Sequence, residues 1–318
     1  MVEQIIAIAK TARPRQWLKN LAIFAALVFT GQLFNADLFN KTFWGFILLS
    51  ILVSSVYFIN DVADREKDRL HPFKKLRPIA KGDISAPNAL FLAAIGILTS
   101  LSGARLLSDF FFVALLSYLL LQVIYTFWLK EIVVIDILAI AAGFILRIYA
   151  GSFLINAHLS VWFLLCVISV SLFLAAGKRR AELAILTENV AAAHRKTLSL
   201  YIPTLLDAYL AMFATASWVS WSLFTFFFEE GRDFYISRAV SPSLLDELPL
   251  TILGSGKLLM LTIPVVIFGV MRYLRLVYEG SRAETPERVL TTDKPLLTAL
   301  LLWGAIVVSV IYFVPQTL

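Results

Sequence analysis

Cysteine is nearly missing from the chain: Cys166 is the single one, and it lies inside an apolar run. One thiol excludes a disulfide framework and any cysteine-based metal centre. Histidine is scarce too, and His71, His158 and His194 lack metal-ligand spacing. Charge is thin, at 16% of residues against 59% hydrophobic. That balance excludes a soluble globular domain and leaves a polytopic membrane protein. The net charge of +6 does not point to nucleic acid, because loop lysines and arginines of membrane proteins gather on the cytoplasmic side for topological reasons. No small-residue cleavage pattern accompanies Lys10, Arg13, Arg15 and Lys19 ahead of the first apolar run, so a cleavable signal peptide is not expected.

What is present is a series of apolar runs of spanning length. Residues 1–16 read as an amphipathic lead-in lying on the membrane surface, with Ile5, Ile6, Ile8 and Ala9 set against Glu3, Lys10 and Arg13. Spans are expected at roughly 17–35, 42–60, 89–106, 110–129, 132–154, 160–177, 206–228, 258–277 and 295–314. The expectation is one all-α integral-membrane domain over residues 1–318, a bundle of nine transmembrane helices with charged loops 61–88 and 178–204. Of the 28 lysines and arginines, 22 fall in the N-terminus, the loops after spans two, four, six and eight, or the span ends that border them. The asymmetry predicts a cytoplasmic N-terminus and an external C-terminus.

The densest charge lies at 60–83, NDVADREKDRLHPFKKLRPIAKGD. On a helix Asp61, Asp64 and Asp68 fall near one face, with Asn60 one turn from Asp64. Three carboxylates and an amide are hard oxygen ligands suited to Mg²⁺, which typically takes one or two carboxylates, waters and substrate phosphate oxygens. The basic residues Arg65, Lys74, Lys75, Arg77 and Lys81 are candidates to meet further phosphate oxygens. The plainer alternative is a charged helix on the membrane surface whose Asp and Arg side chains merely pair.

Two further constellations stand out. Lys178, Arg179 and Arg180, with Glu182, end the sixth span; they read equally as a phosphate site or as a stop that meets anionic headgroups. Inside the fifth span Asp136 and Arg147 share a face with Gly143 between them. They are about 16 Å apart along the axis, too far for a direct pair, so each needs another partner. Ionisable groups at membrane depth usually face a polar cavity or a counter-ion. Lys130 lies at the mouth of that helix, five residues after Tyr125. Asp207 reads as a helix-start charge or a site group, and Glu229, Glu230 and Asp233 as solvated on the other face.

At Asn60-Asp61-x-x-Asp64-x-x-x-Asp68, within this span pattern, the chain resembles the UbiA superfamily of intramembrane prenyltransferases. The resemblance implies a helical bundle around a cavity open to the cytoplasmic face, with Mg²⁺ held on a pyrophosphate by the first aspartate motif. The superfamily's second acidic motif follows the sixth span; here that position reads Lys178-Arg179-Arg180-Ala181-Glu182. Arg13-Pro14-Arg15-Gln16-Trp17-Leu18-Lys19-Asn20, VVIDILAIAAGFILRIYAG, GKRRAEL and Asp293-Lys294-Pro295-Leu296 resemble the branch that moves phosphoribose rather than an isoprenoid. That branch implies transfer of 5-phosphoribose from phosphoribosyl pyrophosphate to a polyprenyl (decaprenyl) phosphate, giving a precursor of lipid-linked arabinose for the cell envelope. It implies substrate contacts from Lys19, Arg65, Lys74, Lys75, Arg77, Lys81, Tyr125, Lys130, Asp136, Arg147, Lys178, Arg179, Arg180 and Glu182.

The runner-up is prenyl transfer from a polyprenyl pyrophosphate to an aromatic acceptor, which wants a second carboxylate cluster. From another class, an anionic-lipid carrier wants discontinuous spans and an internal repeat, and the sequence offers neither. The expected partners are the two phosphorylated substrates and membrane lipid, without nucleic acid; self-association as a homo-oligomer stays open.

Overall fold

The structure, a computed structural model, describes residues 2–70, 74–185, 200–228, 257–279, 289 and 291–314. His71, Pro72, His194, Glu229, Glu230, Asp233, Pro242, Pro249 and Gly254 lie outside the described residues, as does 186–199 of the second charged loop. The described residues are nearly all helical, without a strand. Eight helices are long and apolar enough to cross a membrane. The chain divides into two compact units, Met1–His158 with Leu186–Tyr201, and Leu159–Ile185 with Ile202–Leu318.

The first unit holds α1 (Val2–Ala12), α2 (Ala25–Phe29), α3 (Ala36–Ala63), α4 (Arg65–Leu70), α5 (Pro78–Lys81), α6 (Ala86–Leu107), α7 (Asp109–Phe127) and α8 (Ile135–Leu154). Side-chain caps fix two of the starts. Asn35 Oδ1 accepts from the N–H groups of Asp37 and Leu38, and Ser85 Oγ accepts from Asn88 N–H, satisfying donors a helix leaves unpaired. Gly82 ends α5 at φ 97°, a conformation that costs glycine no Cβ clash.

Spans two to nine each fall on a long helix of the structure, but α3 starts six residues before the expected second span and α9 (Val161–Ile185) runs eight residues past the expected end of the sixth. The first does not form a continuous α-helix. Pro14–Phe24 is a 3-10 helix that runs into the short α2. Eleven residues at about 2.0 Å and five at about 1.5 Å still reach roughly 30 Å.

The tighter winding has a packing reason. Along this segment Trp17, Asn20 and Ile23 recur every three residues and meet α3 at Ser54, Ser50 and Gly45. Trp17 Nε1 donates to Ser54 Oγ at 3.0 Å, Asn20 Nδ2 donates to Ser50 Oγ at 3.0 Å, and Ile23 lies beside Gly45. Three residues of a 3-10 helix rise about 6 Å, and so do the four α-helical residues from Ser54 to Ser50; the next step, to Gly45, is one residue longer. The two antiparallel helices therefore keep step.

Lipid is as apolar as leucine, so close backbone approach and polar contacts carry helix association inside a bilayer. Gly151 of α8 sits where a Cβ would overlap the carbonyl of Ile23. Between α3 and α6, Ser100 Oγ donates to the Leu48 carbonyl at 2.7 Å, and Gly96 and Gly103 lie against Ser55 and Leu48. Ile23, Leu49, Leu52, Phe111, Leu115, Tyr118 and Leu154 form the buried core of this unit.

The second unit holds α9 (Val161–Ile185), α10 (Pro203–Phe227), α11 (Ile263–Tyr278, preceded by the 3-10 turn Leu258–Thr262) and α12 (Lys294–Tyr312). Trp221 Nε1 donates to Thr262 Oγ1 at 2.9 Å, tying α10 to that turn. Asp293 caps α12 through Leu296 N–H and takes Arg272 in two bonds of 3.1 and 2.6 Å.

Candidate active site

The aspartate motif sits where α3 gives way to α4. Asp64 caps α3, its N–H donating to the Asn60 carbonyl, and Asp68 N–H continues the ladder to the Asp64 carbonyl. Asp61 and Asp68 are buried, at 2% and 4% exposure. Arg77 Nη1 lies between them, donating to Asp61 Oδ1 at 3.2 Å and Asp68 Oδ2 at 2.6 Å. Asp61 Oδ1 also accepts from Arg13 Nη2 at 2.5 Å. Arg13 holds φ 52° and ψ 61° directly before Pro14, a left-handed conformation costly for a non-glycine residue, and from it stacks over the Tyr57 ring at 4.5 Å. Asp64 instead takes Lys130 Nζ at 2.7 Å, and Lys130 is buried.

Asp61 and Asp68 thus share Arg77, while Asp64 takes a different cation. Among the described residues no three His, Cys, Asp or Glu side chains are grouped to hold a metal. Each carboxylate is paired with a cation instead, Asp64 with Lys130 and the other two with Arg77. The remaining pair still fits a divalent ion. Asp61 Oδ1 and Asp68 Oδ2 are bonded to the same nitrogen at 3.2 and 2.6 Å, so they are at most 5.8 Å apart. Mg²⁺ is usually held by one or two carboxylates, with waters and substrate phosphates completing the shell. Burial pushes the Asp68 carboxyl above its ordinary value of 3.8; Arg77 opposes the rise, and the charge of Asp61 adds to it. A carboxylate that is desolvated and crowded by another gains from a cation.

The other cations of this stretch are spread out. Lys74 is half-buried and its charge is felt at Asp68, Lys75 is exposed, and Lys81 pairs with Asp83 at 3.0 Å. Arg65 has a buried Nε that makes no hydrogen bond among the described residues. Lys19 Nζ donates to Gln16 Oε1 at 2.7 Å. Tyr125 is half-buried in the last turns of α7.

Asp136 and Arg147 have found separate partners. Asp136 accepts from the Tyr201 hydroxyl at 2.6 Å, and that oxygen accepts from Val134 N–H at 2.8 Å. Val134 is held at φ 69°, strained for a β-branched residue. Arg147, 6% exposed, donates Nε to Asn20 Oδ1 at 2.9 Å, Nη1 to the Gly143 carbonyl at 2.7 Å and Nη2 to the Tyr118 hydroxyl at 2.7 Å. For Arg147 the bonds seen among the described residues are to these neutral groups, not to a carboxylate of another helix.

In the second unit Arg179 is 1% exposed and donates to Glu182, which Lys178 Nζ approaches at 4.0 Å. Arg180 Nε donates to Asp207 Oδ1 at 2.6 Å and stacks over the Tyr278 ring. Asp207 is thus an ion-pair partner of the basic run. Sequence reasoning missed Arg13, Asn20, Tyr57 and Tyr118 as members of the site. The signal for the first two was a polar cluster, Arg13 to Asn20, running into the first apolar span.

The sequence pattern of the UbiA prenyltransferase family matches residues 21–245. A Mycobacterium tuberculosis protein named decaprenyl-phosphate phosphoribosyltransferase is 34% identical over 313 residues, covering 97% of this chain and 95% of the relative. A Corynebacterium glutamicum protein of the same name is 33% identical over 96% of this chain and 87% of its own. Among solved structures, a UbiA homolog from Archaeoglobus fulgidus bound to GPP and Mg²⁺ superposes with a TM-score of 0.66 at 19% identity, over 96% of this chain and 99% of that one.

Proposed function

The chain belongs to the UbiA prenyltransferase family, and we propose that it transfers 5-phosphoribose from phosphoribosyl pyrophosphate to a polyprenyl phosphate. The observation that carries this reading is the similarity along 97% of the chain to proteins named decaprenyl-phosphate phosphoribosyltransferase. The run Lys178-Arg179-Arg180 at the place of the superfamily's second acidic motif agrees with it. The runner-up, prenyl transfer to an aromatic acceptor, would want carboxylates there.

In the proposed step an oxygen of the lipid phosphate bonds to C1 of the ribose, and the bond from C1 to the pyrophosphate oxygen breaks. Pyrophosphate leaves with its electron pair. The attacking phosphate is already ionised near neutral pH, so no general base is required. Asp61 and Asp68 would hold Mg²⁺, which when bound offsets charge growing on the leaving oxygens. Arg13 and Arg77 fix the two carboxylates, and Lys130 positions Asp64. Lys74, Lys75 and Lys81 are assigned to phosphate oxygens. Asp61→Asn or Asp68→Asn is expected to lower turnover by roughly a hundredfold or more.

The chain is a multi-pass membrane protein. We place it in the cytoplasmic membrane with its N-terminus inside, on the distribution of lysine and arginine. The test offers purified protein labelled phosphoribosyl pyrophosphate with polyprenyl phosphate and Mg²⁺, and in parallel polyprenyl pyrophosphate with 4-hydroxybenzoate. Label entering an acid-labile lipid supports the proposal. A prenylated aromatic product with no labelled lipid overturns it.

A further inference from the structure

The short turn between α7 and α8 is held at both ends. At one end it meets the aspartate motif: Lys130 Nζ donates to Asp64 Oδ1 at 2.7 Å, and Lys67 Nζ donates to Glu131 Oε1 at 3.3 Å. The Lys67 pair is exposed and holds little. Lys130 is buried, where such a contact counts for more. At the other end Val134 opens α8 with φ 69° and ψ −46°. That is near the rare, strained form of the three-residue turn, and a β-branched side chain makes it costlier. A helix can start without such strain, as Asn35 and Ser85 start α3 and α6. Strain of this kind persists only where the surroundings impose it.

Tyr201 imposes it. Its hydroxyl oxygen accepts from Val134 N–H at 2.8 Å, and its one proton goes to Asp136 Oδ1 at 2.6 Å. Tyrosine and aspartate are both buried. The carboxylate aims the hydroxyl so that a lone pair faces the backbone N–H, a donor that a helix start leaves unpaired. The rest of the turn is bonded as one piece. Glu131 N–H donates to the Trp128 carbonyl at 3.1 Å, Ile132 N–H to the Leu129 carbonyl at 3.2 Å, and Asp136 N–H to the Ile132 carbonyl at 3.1 Å. The last of these bonds spans Val134. A change of φ at Val134 would break it and swing the turn, carrying Lys130 along.

We propose that Tyr201 is a positioning residue for the transfer: its hydroxyl latches Val134 and so keeps Lys130 on Asp64, an assignment that rests on the phosphoribosyl-transfer reading above. It acts through Lys130 and Asp64 rather than on a substrate. In sequence Tyr201 lies near the end of the second charged loop, 65 residues from Asp136 and 67 from Val134. A residue of that loop thus sets the shape of the turn that serves the first. Valine at 134 makes the shape conditional. With the latch closed the turn is fixed; without it the backbone has a cheaper alternative at negative φ. A hydroxyl that merely capped α8 would need no such residue, and glycine there would remove the strain.

The test is turnover by the purified full chain with labelled phosphoribosyl pyrophosphate, polyprenyl phosphate and Mg²⁺, beside hydrogen exchange of the same samples without substrate. Tyr201→Phe removes the hydroxyl and keeps the ring. It is expected to lower the turnover number roughly 10-fold in protein that still folds. Lys130→Met is expected to lose at least as much, and the double variant no more than Lys130→Met alone, because one residue acts through the other. Adding Val134→Gly to Tyr201→Phe is expected to recover several-fold, since glycine adopts positive φ freely; a hydroxyl needed only for packing would give no such recovery. Exchange in Tyr201→Phe is expected to speed up in residues 128–136 and also in 60–68. Should Tyr201→Phe fail to fold, Asp136→Asn, which keeps the ring and loosens the aim of the hydroxyl, takes its place in the same comparisons. Wild-type turnover without the latch, losses that multiply in the double variant, no recovery with Val134→Gly, or faster exchange confined to 128–136 each overturn the assignment. Failure of the function itself shows separately, as absent label transfer by wild type, and the exchange comparison then decides the latch by itself.

Discussion

Arg77→Met probes the aspartate pair most directly. In the wild type one guanidinium nitrogen touches both carboxylates, whose bonded oxygens are at most 5.8 Å apart. Without it two buried carboxylates face each other, with only Arg13 left on Asp61. At that separation and an effective dielectric of about 20, their repulsion is about 3 kcal/mol. For a protein of this size the expected drop in apparent Tm is about 5 °C near pH 8. The loss depends on pH in a defined direction. The folded-state pKa of Asp68 lies above its ordinary 3.8 through burial and the charge of Asp61, against the pull of Arg77. The folded protein therefore binds this proton more tightly than the unfolded chain. Stability is greatest below the ordinary value and declines as pH rises through the raised one. Removing Arg77 takes away the opposing pull, so the decline extends to higher pH. Lowering the pH, or adding Mg²⁺ to near-neutral buffer, should each restore much of the lost Tm. Thermal unfolding in detergent from pH 5 to 8, with and without Mg²⁺, reads both effects. A variant as stable as wild type at pH 8 without metal, or one indifferent to Mg²⁺, would refute the shared-cation geometry.

Three other outcomes are expected. Arg179 is 1% exposed and bonded to Glu182, so Arg179→Ala should act through folding, costing about 3–5 kcal/mol. Its measure is the yield of monodisperse protein, with partial rescue by adding Glu182→Gln; full yield with only a raised KM would contradict this. Gly151→Ala drives a Cβ into the Ile23 carbonyl and should destabilise by about 1–3 kcal/mol, measured as a lower Tm, whereas an unchanged Tm would mean the 3-10 segment is not seated there. Reporter fusions at residues 85, 190 and 285 should read cytoplasmic and one at 245 external; a cytoplasmic signal at 245 would reverse the orientation.

Much of the fold was legible because a bilayer allows few solutions: apolar runs of spanning length become helices. The spacing Asp61, Asp64, Asp68 was legible as a cluster because helical periodicity is local. Its division was not, since Arg13 and Lys130 arrive from 48 and 66 residues away, and no local pattern records such pairings. Arg147 shows both sides. Distance along α8 ruled out Asp136 as its partner, but the neutral partners come from the 3-10 helix and α7. The winding of Pro14–Phe24 was also hidden, because its hydrophobicity is as compatible with an α-helix. Only the step of α3 across from it explains the choice.

That winding also sets a length. Eleven residues extend about 22 Å as a 3-10 helix and about 16 Å as an α-helix. The segment is in effect a stretched spacer strung between Ile23, pinned against Gly151, and Arg13, clasped to Asp61. Rewinding it to α would shorten the tether by about a quarter and pull Arg13 off the carboxylate, while Trp17 and Asn20 lost step with Ser54 and Ser50. The gauge of the N-terminal segment and the electrostatic balance at Asp61 are one mechanical quantity.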